Sequence, residues 1–153
     1  MLTEILTIGY QGATIEGLFD TLRAAGAQVV VDVRAVPWSR RPAFTKHALT
    51  RAAKTAGIAY VHVPGLGNPA KAEPAGNLSL AKHLESLSGR AALDTAAALL
   101  RDHGRVALLC LERDPAACHR TEVAAALSAR TGAPVRPLTI PLDPRQGDLF
   151  ENG

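Results

Sequence analysis

The chain lacks a basic N-terminal flank: "MLTEILTIGY" holds no Lys or Arg, and the first in the sequence is Arg23. No small-residue cleavage pattern follows, so no secretory signal is expected. No apolar run approaches the ~18 residues that a membrane helix requires, which sets membrane functions aside. Cysteine is scarce, with two in 153 residues. In a chain without signs of export this predicts reduced thiols rather than a disulfide framework. Together these absences point to a soluble, cytoplasmic protein. Acid is also missing, but only locally. Between Val33 and Ala72 there are seven cations (Arg34, Arg40, Arg41, Lys46, Arg51, Lys54 and Lys71) and no Asp or Glu.

What is present fits one globular domain. At 47% hydrophobic residues the chain can bury an ordinary core. The net charge is +3, and the segment from Asp143 carries Asp143, Asp148 and Glu151 against Arg145. A single domain over 1–142 with a polar tail over 143–153 is therefore expected. The basic stretch suggests an anionic partner, either nucleic acid or a phosphorylated small molecule. For Lys46, Arg51 and Lys54 a solvated helix face explains the charge as well.

Apolar runs alternate with segments of helical period. "EILTIGY" reads as a strand, and Thr14 caps a helix over roughly 15–25. "AQVVVDV" is β-branched and apolar on both faces, as a central parallel strand should be. Thr45 caps a helix to Ala56, Gly57 ends it, and "IAYVHV" follows as a third strand. A loop rich in Gly, Pro and Asn covers 64–77, with helices near 79–87 and 90–103 after it. "RVALLCL" makes a fourth strand, a helix runs to Thr131, and "VRPLTI" makes a fifth. This order predicts a three-layer α/β domain: a mostly parallel five-stranded sheet with helices on both faces, Rossmann-like. Ligands of such sheets bind outside the carboxyl ends of the strands. Gly9-Tyr10, Arg34, the "GLGNP" loop and the stretch Cys110–Arg120 all follow strands, so they should meet on one edge.

Three groups of residues there can carry chemistry. In "DVRAVPWSRRPAF", Arg34, Arg40 and Arg41 sit on a loop stiffened by Pro37 and Pro42. Guanidinium forks match phosphate or carboxylate, at roughly 1.5–3 kcal/mol per charge-assisted bond. The other readings are that Arg34 pairs with Asp32, or that the loop packs around Trp38 and Phe44. In "VALLCLERDPAACHR", Asp114-Pro115 can start a helix whose buried stripe is Arg120, Val123, Ala124 and Leu127. A start near Cys118 instead would turn Cys118 and His119 to the cleft. Arg120 on a buried face needs a partner, either Glu112 or Asp32, or a bound anion. Cys110 ends a strand near arginines, a setting that activates a thiol; it also reads as the last apolar residue of the strand. The C-x7-C-H spacing of Cys110, Cys118 and His119, with His62, matches none of the short-loop zinc patterns, so neither metal nor cofactor is expected.

The combination of D-V-R, S-R-R-P-x-F and E-x5-C-H-R resembles the family known as domain of unknown function 488, over nearly the whole domain. The resemblance implies site positions at Arg34, Ser39, Arg40, Arg41, Phe44, His62, Gly67, Cys110, Glu112, Cys118, His119 and Arg120. It implies a fold and a cluster but no reaction. "VVVDVRAVP" with a later strand-Cys-loop-helix is similar to rhodanese-type sulfurtransferases, although the loop after Cys110 lacks their short cradle of glycine and arginine. "QGDLF", with Gln146, Leu149 and Phe150 as contacts, is similar to the peptide by which bacterial proteins dock on the DNA sliding clamp, with Gly147 in place of the usual leucine. The reading that follows is recognition of a phosphate-bearing ligand, nucleotide or nucleic acid, with a possible role in DNA metabolism. Arg34, Ser39, Arg40, Arg41, His62 and Arg120 would bind, and Glu112 and His119 would serve as acid–base groups. The alternatives are a thiol enzyme using Cys110 or Cys118, and a non-catalytic adaptor on the clamp.

Overall fold

The computed structural model describes residues 2–34, 39, 41–67, 80–114 and 119–142. Its elements run β1 (Glu4–Gly9), α1 (Ile15–Ala24), β2 (Val29–Asp32), α2 (Lys46–Ala56), β3 (Ala59–His62), α3 (Leu80–Glu85), α4 (Leu87–His103), β4 (Arg105–Cys110), α5 (Arg120–Thr131) and β5 (Val135–Pro137). Short 3-10 turns cover Pro42–Phe44 and Pro64–Leu66. All five strands pair in parallel, in the order β3-β2-β4-β1-β5. The fold is thus a three-layer α/β sandwich, with the sheet parallel throughout.

Alternation along the strands divides the core. Val29 and Val31 of β2 and Val33 just after it, with Val106, Leu108 and Cys110 of β4, pack on Leu93, Ala96 and Leu100 of α4 and Val123 and Leu127 of α5. The residues between them, Val30, Ala107 and Leu109, join Leu6 and Ile8 against Leu18 and Leu22 of α1 and Leu49 and Ala53 of α2. Strands buried on both faces must be apolar at every position, which is why "VVV" and "VALLC" show no polar alternation. Thr14 and Thr45 cap α1 and α2 by accepting from Gly17 N and Ala48 N. Gly57 closes α2 at φ +75°, a conformation a side chain would disfavour.

Several boundaries differ from expectation. The two helices after the loop meet at Ser86, whose side chain caps α4 through Gly89 N. A hydroxyl able to cap stops one helix and starts the next without a breaker residue. The last helix begins at Arg120 with His119 at its N-cap, not at Asp114. The buried stripe nevertheless comprises Arg120, Val123, Ala124 and Leu127. The fifth strand is three exposed residues, not six; Leu138 N still donates to Thr7 O at 2.7 Å just beyond it. The expectation of reduced thiols is corrected as well: Cys110 is disulfide-bonded. Compartment sets redox poise, whereas pairing is a matter of geometry, and the chain's one other cysteine, Cys118, stands only a short C-x7-C spacing away. Cys118, Arg40, and Gln146, Leu149 and Phe150 lie outside the described residues.

Candidate functional site at the carboxyl edge of the sheet

Gly9, Asp32, His62 and Cys110 are the last residues of four parallel strands, so one edge of the sheet gathers them. Register makes them close neighbours: Gly9 lies opposite Cys110, Asp32 opposite Leu109 on one side and His62 on the other. Of the groups expected at one edge, Gly9-Tyr10, Arg34, Cys110 and His119–Arg120 lie at strand ends there, divided between the two faces of the sheet, while residues 68–69 and 115–118 lie outside the described residues.

On the α1/α2 face, Asp32 and Arg34 alternate with the valines of β2 and lie buried. Arg34 donates from Nε to Asp32 Oδ1 at 2.8 Å and from Nη2 to Asp32 Oδ2 at 2.6 Å. Its Nη1 donates to Phe44 O at 2.8 Å and to Tyr10 Oη at 3.2 Å. Asp32 also accepts from Arg34 N and from Tyr60 Oη. Burial pulls the Arg34 guanidinium down, but its bond to Asp32 and the charge there outweigh this and raise it. Burial, then the Asp32 charge, holds the Tyr60 phenol far above its usual range, so it remains the donor. Tyr10 stacks on Phe44 with ring centroids 4.3 Å apart and planes 6° from parallel. Arg41 covers the other ring, its Cζ 4.4 Å from the Phe44 centroid, while its Nη2 reaches Ala13 O. Ser39 is buried and accepts from Arg41 N at 3.1 Å, which sets the turn. Phe44 is therefore loop core, and the bonds of Arg34 follow the reading that pairs it with Asp32. Tyr60 had not been singled out. Its only sequence signal is that it shares a face of β3 with His62, two residues on.

On the α4/α5 face, Arg120 is fully buried. Its Nη1 donates to Cys110 Sγ at 3.2 Å and to Glu112 O, and its Nη2 to Arg113 O at 3.1 Å. The guanidinium thus fastens the loop leaving β4 onto the strand end. Burial lowers the Arg120 pKa, with the charges of Glu112 and Asp114 pulling it back up. Gly9 makes room for this: a Cβ there would lie 1.7 Å from Glu112 O and 2.9 Å from Arg120 Nη1. Gln11 extends the seam, donating from N to Leu111 O at 2.9 Å and accepting from Arg113 N at 3.3 Å. Cys110 belongs to the core of this face.

Two histidines flank the end of β2. His62 Nε2 lies 2.7 Å from Arg34 O, and His119 Nε2 lies 3.0 Å from Val33 O. A carbonyl only accepts, so both Nε2 atoms carry the proton, and in the neutral ring each Nδ1 is a base. The imidazoles continue the hydrogen-bond ladder where backbone partners run out. His119 cannot also cap α5 with its ring, and the helix start has no side-chain cap.

Among the described residues no group of three His, Cys, Asp or Glu side chains could hold a metal ion. No helix among them is long and apolar enough to cross a membrane. A separate open groove of about 570 Å³ lies among α3, α4 and α5, floored by Ala and Leu and rimmed by Glu85, Arg90, Glu122 and Arg130. It contains none of the residues singled out from the sequence.

No curated protein and no solved structure matches the chain. A family model described as Domain of unknown function DUF488 matches residues 14–127, well over half of the chain. That span runs from the cap of α1 into α5 and takes in Asp32, Arg34, Arg41, His62, Cys110, His119 and Arg120. The chain belongs to the DUF488 family, a domain of unknown function.

Proposed function

We propose that the carboxyl edge of the sheet binds a phosphate-bearing ligand, a nucleotide or a nucleic acid, beside the end of β2. The observation that carries this reading is the pair of histidines anchored through Nε2 on Val33 O and Arg34 O. They stand where the acid-free stretch of seven cations leaves the sheet. Arg41, half-buried and fixed by Ser39, Ala13 and the Phe44 ring, is the direct cationic contact on the described side of that loop. Arg40 is its neighbour in sequence. Arg34 and Arg120 act differently. They hold the loop and the strand ends, and the field of Arg120, partly offset by Glu112 and Asp114, favours an anion nearby. Glu112 and His119 are the acid–base candidates if the bound ligand reacts.

Equilibrium titration with a nucleoside triphosphate and with a short DNA duplex tests the reading. Arg41→Ala should weaken binding roughly ten- to a hundredfold, the value of one charge-assisted contact. For DNA with about four phosphates neutralised, log affinity should fall with log salt at a slope near −3.6. Binding that is independent of salt, or unchanged in Arg40→Ala/Arg41→Ala, contradicts it. A nucleotide that binds where DNA does not makes the ligand a small molecule.

A further inference from the structure

We propose that the groove among α3, α4 and α5 is a self-association surface, covered by the same face of a second copy of the chain about a two-fold axis. The proposal is independent of what the carboxyl edge binds. The groove holds about 570 Å³, with Leu84 and Leu93, alanines of α3 and α5, and four charged side chains lining it. Its α5 wall follows helical spacing, with Glu122, Ala125, Ala126, Ala129 and Arg130 at i, i+3, i+4, i+7 and i+8. Val123, Ala124 and Leu127, on the other side of that helix, are the ones committed to the core.

Two further observations say what covers the groove. Leu87 is 86% exposed, the most exposed large hydrophobic side chain among the described residues. It lies one turn before the rim residue Arg90 on α4, and the helix does not need it as a cap, because Ser86 serves. The rim itself carries two acids and two bases, Glu85 and Glu122 with Arg90 and Arg130. Among the described residues Glu85, Arg90 and Glu122 make no ion pair. Arg130 bonds through Nη1 to Asp94 and to Arg90 O, which leaves Nε and Nη2 as donors.

A face with its own projection, its own hollow and equal numbers of both signs is complementary to itself. A partner of one charge sign would leave half of the rim unmatched. A two-fold axis near Ala126 sets α5 antiparallel to α5 of the second copy. Glu122 and Arg130 each lie about 6 Å along the helix from Ala126, so each Glu122 meets Arg130 of the second copy. Alanines at the crossing let the helices approach at the short end of the roughly 8–10 Å range of packed helices. Because Arg130 bonds to Arg90 O, Leu87 belongs to that end of the groove. The axis carries it over the alanines at the Glu122 end of the second copy. The rim pairs supply orientation more than affinity, since a parallel arrangement would set like charges against each other.

Sedimentation velocity of the full chain at rising concentration tests this. The mass should climb from the 16.0 kDa of one chain toward twice that. Leu87→Asp should weaken the dimer by roughly a hundredfold or more, because each buried leucine is worth at least tenfold and the change counts twice. Glu122→Arg and Arg130→Glu should each weaken it when alone. An equimolar mixture of those two should associate again, because the mixed pair matches opposite charges at both ends. All three positions are exposed, so each variant should keep the circular dichroism of the parent. A mass of one chain at every concentration, a dimer indifferent to Leu87→Asp, or a mixture no more associated than its components overturns the proposal.

Discussion

Gly9→Ala tests whether the loop after β4 is fixed as closely to β1 as the packing requires. A Cβ at residue 9 would lie 1.7 Å from Glu112 O, 2.6 Å from Glu112 C and 2.9 Å from Arg120 Nη1. Two of those atoms are backbone, so no rotamer change relieves the overlap. The loop must move away by more than an ångström, weakening the bonds of Arg120 Nη1 to Glu112 O and Cys110 Sγ. Overpacking of this kind costs about 1–3 kcal/mol, and a weakened hydrogen bond to a charged group adds about 1.5 kcal/mol. We expect a loss near 3 kcal/mol in all, or roughly 6–12 °C in melting temperature for a domain of this size. Gly57→Ala is the matched control. No atom lies within 4 Å of its added Cβ, and only the φ of +75° is penalised, at roughly 1 kcal/mol. Urea denaturation of both variants gives the comparison. If Gly9→Ala costs no more than Gly57→Ala, the close approach of β1 and the loop is not a constraint.

Arg34→Met should cost about 3–5 kcal/mol in chemical denaturation, because it strands the buried carboxylate of Asp32; Arg34→Met/Asp32→Leu should recover part of that loss. A double variant no better than the single would mean that the fork to Asp32 is not the source. Glu4 bonds to Arg136 at 2.8 Å, and that bond holds its carboxyl below the usual 4.5. A carboxyl depressed in the fold stabilises fully above its unfolded value and loses this as pH falls through the folded one. Stability measured from pH 6 downward should therefore decline below about 4.5, and Glu4→Gln should flatten that limb; an identical limb in the variant would assign the decline elsewhere.

The layers of the fold were legible because they rest on local chemistry. Strands buried on both faces read as "VVV" and "VALLC", and Thr14, Thr45 and Gly57 mark helix ends by hydrogen-bonding rules that act within three or four residues. The stripe of α5 could be read from its period even though its start could not, because Asp-Pro and a bare N-cap such as His119 are both permissible starts. What the sequence hid was pairing across distance. Nothing local shows that His62 and His119 find adjacent carbonyls just past the end of β2. Nor does it show that Tyr60 bonds to Asp32, or that Gly9 is small for the sake of Glu112. The arginines offered as anion contacts differ in the fold. Arg34 and Arg120 are braced inside, one on each face of the sheet, while Arg41 lies across an aromatic ring nearer the surface. Only burial and partners separate a cation that holds a site from one that can meet a ligand.

The central claim, anion recognition at the carboxyl edge beside β2, is tested most directly by amide chemical-shift mapping during titration with a nucleoside triphosphate. Shifts should saturate and cluster at Tyr10–Gln11, Val33–Arg34, Ser39, Arg41, His62 and His119–Glu122. Shifts confined to the groove among α3, α4 and α5, or spread without saturation over the cations of α2, would contradict it.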